Sequence, residues 1–184
     1  MPPFIFDAHL DLSWNALDFN RDLRWTQERI RRRELGLTTK GASRNTVCFP
    51  EMRRGGIGLC VATQMARALS YFERMPVAGA CYFSPEQAWA ATQGQLAWYR
   101  EMEACGELVQ IRTRAQLEAH LALWTAHSAA PAEKPPKLPI GYVLSLEGAD
   151  SIVSLKHLER AYSDGLRALG PVHFGPGVYG NGTD

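Results

Sequence analysis

Apolar positions along the chain fall into two alternating patterns. Short continuous runs at Phe4 to Asp7, Ile57 to Thr63, Val109 to Ile111, Ile140 to Leu146 and Leu166 to Val172 read as strands buried on both faces of a parallel sheet. Between them lie segments of helical period with legible starts. Ser84-Pro85-Glu86-Gln87 sets an N-cap, a first-turn proline and a capping-box glutamine ahead of Trp89, Leu96 and Tyr99, with Gly106 as the stop. Thr113-Arg114-Ala115-Gln116 repeats the device before Leu117, Leu121 and Trp124. Ser154 stands where it can cap a third helix carrying Leu155, Leu158 and Tyr162, ended by Asp164-Gly165. The alternation predicts an α/β fold with a parallel sheet, either open and doubly wound or closed as a barrel. The proline-rich segment Ala130 to Pro139 runs straight into a strand, so it reads as a helix-to-strand loop within a single domain spanning residues 1 to 184.

Composition narrows the class. With 184 residues, 46% of them hydrophobic and 21% charged, the chain suits one globular domain and neither a disordered segment nor a coiled coil. A net charge of +1 argues against a nucleic-acid partner, because neutralising phosphates requires a basic excess. The densest basic cluster, Arg29, Arg31, Arg32 and Arg33 between Glu28 and Glu34, reads as a solvated helix face. No run approaches the ~20 apolar residues of a membrane span. Met1-Pro2-Pro3 leads directly into Phe4-Ile5-Phe6 without the layout of a signal peptide, so a cytoplasmic address and no membrane partner are expected. Four cysteines at 48, 60, 81 and 105 match neither a zinc-binding pair of CxxC motifs nor a disulfide framework, and read as small buried hydrophobes or inert thiols.

Three features could carry chemistry. The first strand ends in Asp7-Ala8-His9-Leu10-Asp11, where alternation puts His9 and Asp11 on one side, a pairing of imidazole and carboxylate that suits a divalent ion such as zinc. A plainer role is open to both, with Asp11 capping the next segment and His9 a satisfied histidine. Glu147 ends the run Ile140 to Leu146 and is followed by Gly148, in the place where α/β folds set their ligands. Capping the next helix is the alternative, a task that Asp150 or Ser151 could also perform. His173 follows the last strand and precedes Gly175-Pro176-Gly177, as a site residue or as a solvated loop histidine. His120 and His157 fall inside predicted helices and His127 near a helix end, where surface or packing roles suffice.

The order of these motifs resembles a known family. Asp7-Ala8-His9-Leu10-Asp11-Leu12, Phe49-Pro50-Glu51-Met52-Arg53-Arg54-Gly55-Gly56-Ile57-Gly58, Ser145-Leu146-Glu147-Gly148 and Gly165-Leu166-Arg167-Ala168-Leu169-Gly170-Pro171-Val172-His173 resemble the renal (membrane) dipeptidase family of zinc peptidases. Ala8 and Leu10 stand where the family's opening motif carries glycine and asparagine. The resemblance implies a (β/α)8 TIM-type barrel with two zinc ions at its carboxyl-terminal face, and hydrolysis of small dipeptides through a metal-bridging hydroxide. It implies His9 and Asp11 as ligands of the first zinc and Glu147 as the bridge. It implies His173 as a substrate contact that stabilises the tetrahedral intermediate rather than as a ligand.

A complete barrel of this type typically needs ~250 residues. Five strands are expected here, and the family's two further histidine ligands, its acidic proton shuttle and its carboxylate-binding arginine belong to later strands. Beyond His173 the chain has no His or Arg, and Asp184 as its one acidic residue. The expectation is therefore an amino-terminal half, inactive alone, with open sheet edges that favour a homo-oligomer or association with the missing carboxyl-terminal part. Two other readings stand beside it. One is a non-catalytic split or truncated chain. The other is an amidohydrolase-like metal hydrolase acting on a lactone or cyclic amide, which the HxD opening disfavours.

Overall fold

The computed structural model describes residues 4–68, 81–128, 137–173 and 176–183. Strand β1 (Ile5–Leu10) leads into helix α1 (Leu12–Leu17), and two more short helices follow, α2 (Gln27–Arg33) and α3 (Phe49–Gly55). Next come strand β2 (Ile57–Met65), the two-residue strands β3 (Arg67–Ala68) and β4 (Cys81–Tyr82), the long helix α4 (Pro85–Ala104) and the short strand β5 (Leu108–Gln110). Helix α5 (Arg114–Ser128), strand β6 (Ile140–Glu147), helix α6 (Leu155–Ser163) and strand β7 (Leu166–Gly170) complete the order.

Every strand pairing in the main sheet is parallel, as the continuous apolar runs predict. β2 lies between β1 and β6. The other edge of β6 is divided: β5 pairs with its first half, Leu108 opposite Ile140 and Gln110 opposite Tyr142, and β7 with its second half, Leu144 opposite Leu166 and Glu147 opposite Gly170. The strand expected at Val109 to Ile111 is present one residue earlier, as the three-residue β5 at the base of β6. β1 reaches Leu10, which carries His9 into the strand. β7 stops at Gly170 rather than Val172, because Pro171 has no amide to donate. Because all the strands run the same way, the segments after β1, β6 and β7 emerge at one edge of the sheet.

The helix starts follow the sequence. Ser84 accepts from the amide of Gln87 while the Gln87 side chain accepts from the amide of Ser84, the reciprocal box that the spacing predicts. Thr113 and Gln116 do the same for α5. At α6 Ser154 takes the N-cap position as expected, but its side chain makes no cap bond and its hydroxyl lies 2.9 Å from His157 Nδ1. Gly165 ends that turn at φ +111°, a conformation that costs glycine little. Of the loop from Ala130 to Pro139, residues 130 to 136 lie outside the described residues, as do Phe174, Gly175 and Asp184.

The core lies between the sheet and helices α1, α3 and α4. Tyr99 of α4 stacks on Tyr142 of β6 with ring centroids 5.0 Å apart, beside fully buried Phe49, Ile140 and Leu144. His120 is buried rather than superficial, its Nε2 2.7 Å from the Gly58 carbonyl and 3.1 Å from the Gly141 amide. Gly141 is required by that approach, since a Cβ there would lie 2.6 Å from the same nitrogen. Cys48 and Cys60 are buried and all four thiols are free; burial pushes Cys60 up to about 12, which keeps it inert.

The basic face of α2 is only partly solvated. Arg29 stacks over Trp25 at 3.8 Å and Arg31 donates to the Asn45 carbonyl at 2.7 and 3.0 Å. Glu34 is buried against Arg21, Nε to Oε1 at 2.6 Å and the second guanidinium nitrogen to Oε2 at 3.1 Å. Among the described residues no helix is long and apolar enough to cross a membrane.

Candidate metal centre

The parallel register brings the sequence-selected residues together. His9 projects from β1 two residues before Asp11, which stands at the N-cap position of α1 yet makes no side-chain cap bond. The capping role open to Asp11 is therefore not taken up. Glu147 is the last residue of β6, and Gly148 at φ +82° turns the backbone away behind it. His173 lies three residues past β7. Its Nε2 is 2.8 Å from Glu147 Oε1, while His9 Nε2 is 3.0 Å from Glu147 Oε2 and 3.4 Å from Asp11 Oδ1. Glu147 thus faces a different histidine with each oxygen. His9, Asp11 and Glu147 each offer one ligand atom, all within 4.8 Å of one another.

The electrostatics of the group favour a cation. The Glu147 side chain is 11% exposed, and burial pushes its carboxyl above the usual range. The negative charge of Asp11 pushes it the same way, against the pull of His173 and His9. Its Oε2, although 3.0 Å from His9 Nε2, is buried and accepts no hydrogen bond of good geometry. Two crowded carboxylates, one with an oxygen that accepts no hydrogen bond, and an imidazole make a set that a divalent ion would neutralise and satisfy together. The residues present fit such an ion.

Sequence reasoning missed two neighbours. Thr63 of β2 donates its hydroxyl to Asp11 Oδ1 in a short contact. A polar residue inside an otherwise apolar strand run was the available signal. Asp150, read above as a helix cap, instead accepts from the Ala68 amide at 3.0 Å and the Val178 amide at 2.8 Å. It ties β3 and the turn at 176–180 to the end of β6, beside the bond from the Thr183 amide to the His173 carbonyl. These contacts join segments that are distant in sequence, so no local pattern announces them.

Fold and site together describe an α/β protein with acidic and imidazole donors gathered at the carboxyl ends of parallel strands. No protein-family model matches the sequence, and no curated protein matches it. Solved structures do. Dipeptidase AC, a metallopeptidase, shares 22% identity at a TM-score of 0.62, over 94% of this chain and 43% of its own. A metallopeptidase from Rhodobacter sphaeroides, solved with a phosphinate mimic of the dipeptide L-Ala-D-Ala, shares 23% at 0.64, over 98% of this chain and 48% of its own. The probable dipeptidase PvdM from Pseudomonas aeruginosa shares 12% at 0.54, over 94% of this chain and 35% of its own. The first of these is a dipeptidase of the renal dipeptidase family, the family the sequence resembles. At such identities the likeness is one of fold, and the chain spans less than half the length of each.

Proposed function

We propose that this chain carries the amino-terminal half of the active site of a zinc-dependent dipeptidase. The observation that supports it most is the convergence of His9, Asp11 and Glu147 within 4.8 Å on a fold shared with solved dipeptidases. In this reading the strands β1, β2, β6 and β7 are the start of a (β/α)8 barrel. His9 and Asp11 would hold one ion, and Glu147 would be shared with a second. Divalent ions in such a site supply Lewis acidity, lowering the pKa of water and polarising a carbonyl. The chain's own contribution is orientation. His173 Nε2 lies 2.8 Å from Glu147 Oε1, which holds the imidazole at the rim of the site, where its N–H would turn from the carboxylate to an oxyanion developing on a small dipeptide.

Zinc retention and dipeptide hydrolysis by the intact protein test the proposal. Retention of stoichiometric zinc, with turnover lost in Glu147→Gln, is expected; full turnover in that variant would sink the assignment. The half-site reading has its own support. Among the described residues β1 and β7 each pair with one strand only. Helix α6 has no fully buried side chain, and its Leu155, 77% exposed, lines a groove of about 430 Å³ with Ile152, Leu158, Leu169 and Tyr179. An apolar face on an open sheet edge is where further barrel units, in this polypeptide or in another, would pack.

A further inference from the structure

We propose that Thr63 is a positioning residue for the metal ligand Asp11, an inference that rests on the metal-centre reading above. Asp11 sits where β1 has ended and α1 is starting, with φ −85° and ψ 59°, so neither element's ladder fixes its side chain. Its main-chain carbonyl is engaged by the Asn15 amide and side chain, both at 3.0 Å, which leaves the carboxylate to find its own support. Thr63 supplies it from the neighbouring strand, donating to Asp11 Oδ1. The other acceptor in reach, the Leu10 carbonyl, is farther away at 3.4 Å and uncharged, so the hydroxyl proton belongs to the carboxylate.

The donor is itself immobilised. Thr63 is 1% exposed, and its branched Cβ restricts the torsion that aims the hydroxyl. Its carbonyl accepts from Tyr99 OH at 2.7 Å and from Ser13 Oγ at 3.0 Å. Two residues on, Gln95 clamps the Met65 backbone from both sides, at 2.8 and 2.7 Å. The parallel register sets Thr63 opposite Ser145 and Met65 opposite Glu147. One strand therefore fixes both the support of Asp11 and the place of Glu147. With Oδ1 anchored, Asp11 presents a fixed edge to His9 and Glu147, and no rotation of the carboxylate has to be arrested when an ion binds. Outer partners of this kind typically change metal affinity by ~10–100-fold when removed.

The test compares zinc affinity by chelator competition, and the visible spectrum of the cobalt-substituted protein, in the wild type, Thr63→Val and Thr63→Ser. Thermal melts of the metal-free proteins serve as the folding control. Thr63→Val keeps the shape and loses the hydroxyl, and we expect ~10–100-fold weaker zinc binding with an altered cobalt spectrum. Thr63→Ser restores the hydroxyl and should return affinity and spectrum toward wild type. Should Thr63→Val fail to fold, Thr63→Ala is compared with Thr63→Ser in its place. Unchanged affinity in the variant lacking the hydroxyl overturns the proposal, and so does a serine variant as weak as the valine one. A wild type that binds neither zinc nor cobalt fells the metal-centre reading and this inference with it. Binding that is tight and indifferent to Thr63 fells this inference alone.

Discussion

Glu147→Gln should stabilise the metal-free chain while removing its response to zinc. In the fold, Glu147 is a mostly buried carboxylate whose Oε2 accepts no hydrogen bond, and its ligand atom lies within 4.8 Å of Asp11's. Two like charges at that separation repel by about 3.5 kcal/mol at an effective dielectric near 20. His9 and His173 return part of this. A gain of about 1–3 kcal/mol near pH 8 is therefore expected once the charge is removed, or roughly 2–12 °C in melting temperature for a domain of this size. The pH dependence has a definite sign. A carboxyl raised in the fold above its ordinary 4.5 binds its proton more tightly when folded. Wild-type stability therefore falls as pH rises from 4.5 through the raised value, and the advantage of glutamine grows over the same window and vanishes below it. Melts of both proteins in chelator, from acid to pH 8, measure this. With excess zinc the order should reverse, because only the wild type gains the binding free energy. A metal-free Glu147→Gln protein no more stable than wild type at pH 8 would refute the reasoning.

Other parts of the structure give sharper stability tests. Arg21→Met leaves Glu34 buried without its partner and should cost about 3–5 kcal/mol in urea unfolding near neutral pH. Arg21 holds the Glu34 carboxyl below its usual range, so the stabilisation is present above pH 4.5 and the loss should shrink as pH falls through the depressed value. Gly141→Ala drives a Cβ to 2.6 Å from His120 Nε2 and should cost about 1–3 kcal/mol by forcing the imidazole aside, measured by the same unfolding. Leu155→Lys should leave the melting temperature of the isolated chain unchanged, because the side chain is 77% exposed there, yet lower any self-association seen by sedimentation.

The parts of this fold that were legible in the sequence are those where a local pattern meets no competitor. The capping boxes at Ser84 and Thr113 and the buried runs of β2 and β6 needed only neighbours in sequence. The site residues were legible because each stands at or just past a strand's carboxyl end, so parallel pairing alone brings them to one edge. What stayed hidden depends on partners far along the chain. That β5 and β7 share one edge of β6, each pairing with half of it, is such a case. Thr63 and Asp150 act across about 50 and 80 residues, respectively. Glu34 reads as surface charge until Arg21 is seen to bury it.

Zinc content tests the central claim most directly. The intact protein is loaded with zinc, dialysed against metal-free buffer and assayed by elemental analysis, alongside His9→Ala and Asp11→Ala. Stoichiometric zinc in the wild type, lost in both variants, is the predicted result. A wild type that retains no zinc, or variants that retain as much as it does, would contradict the assignment of His9, Asp11 and Glu147 as a metal centre.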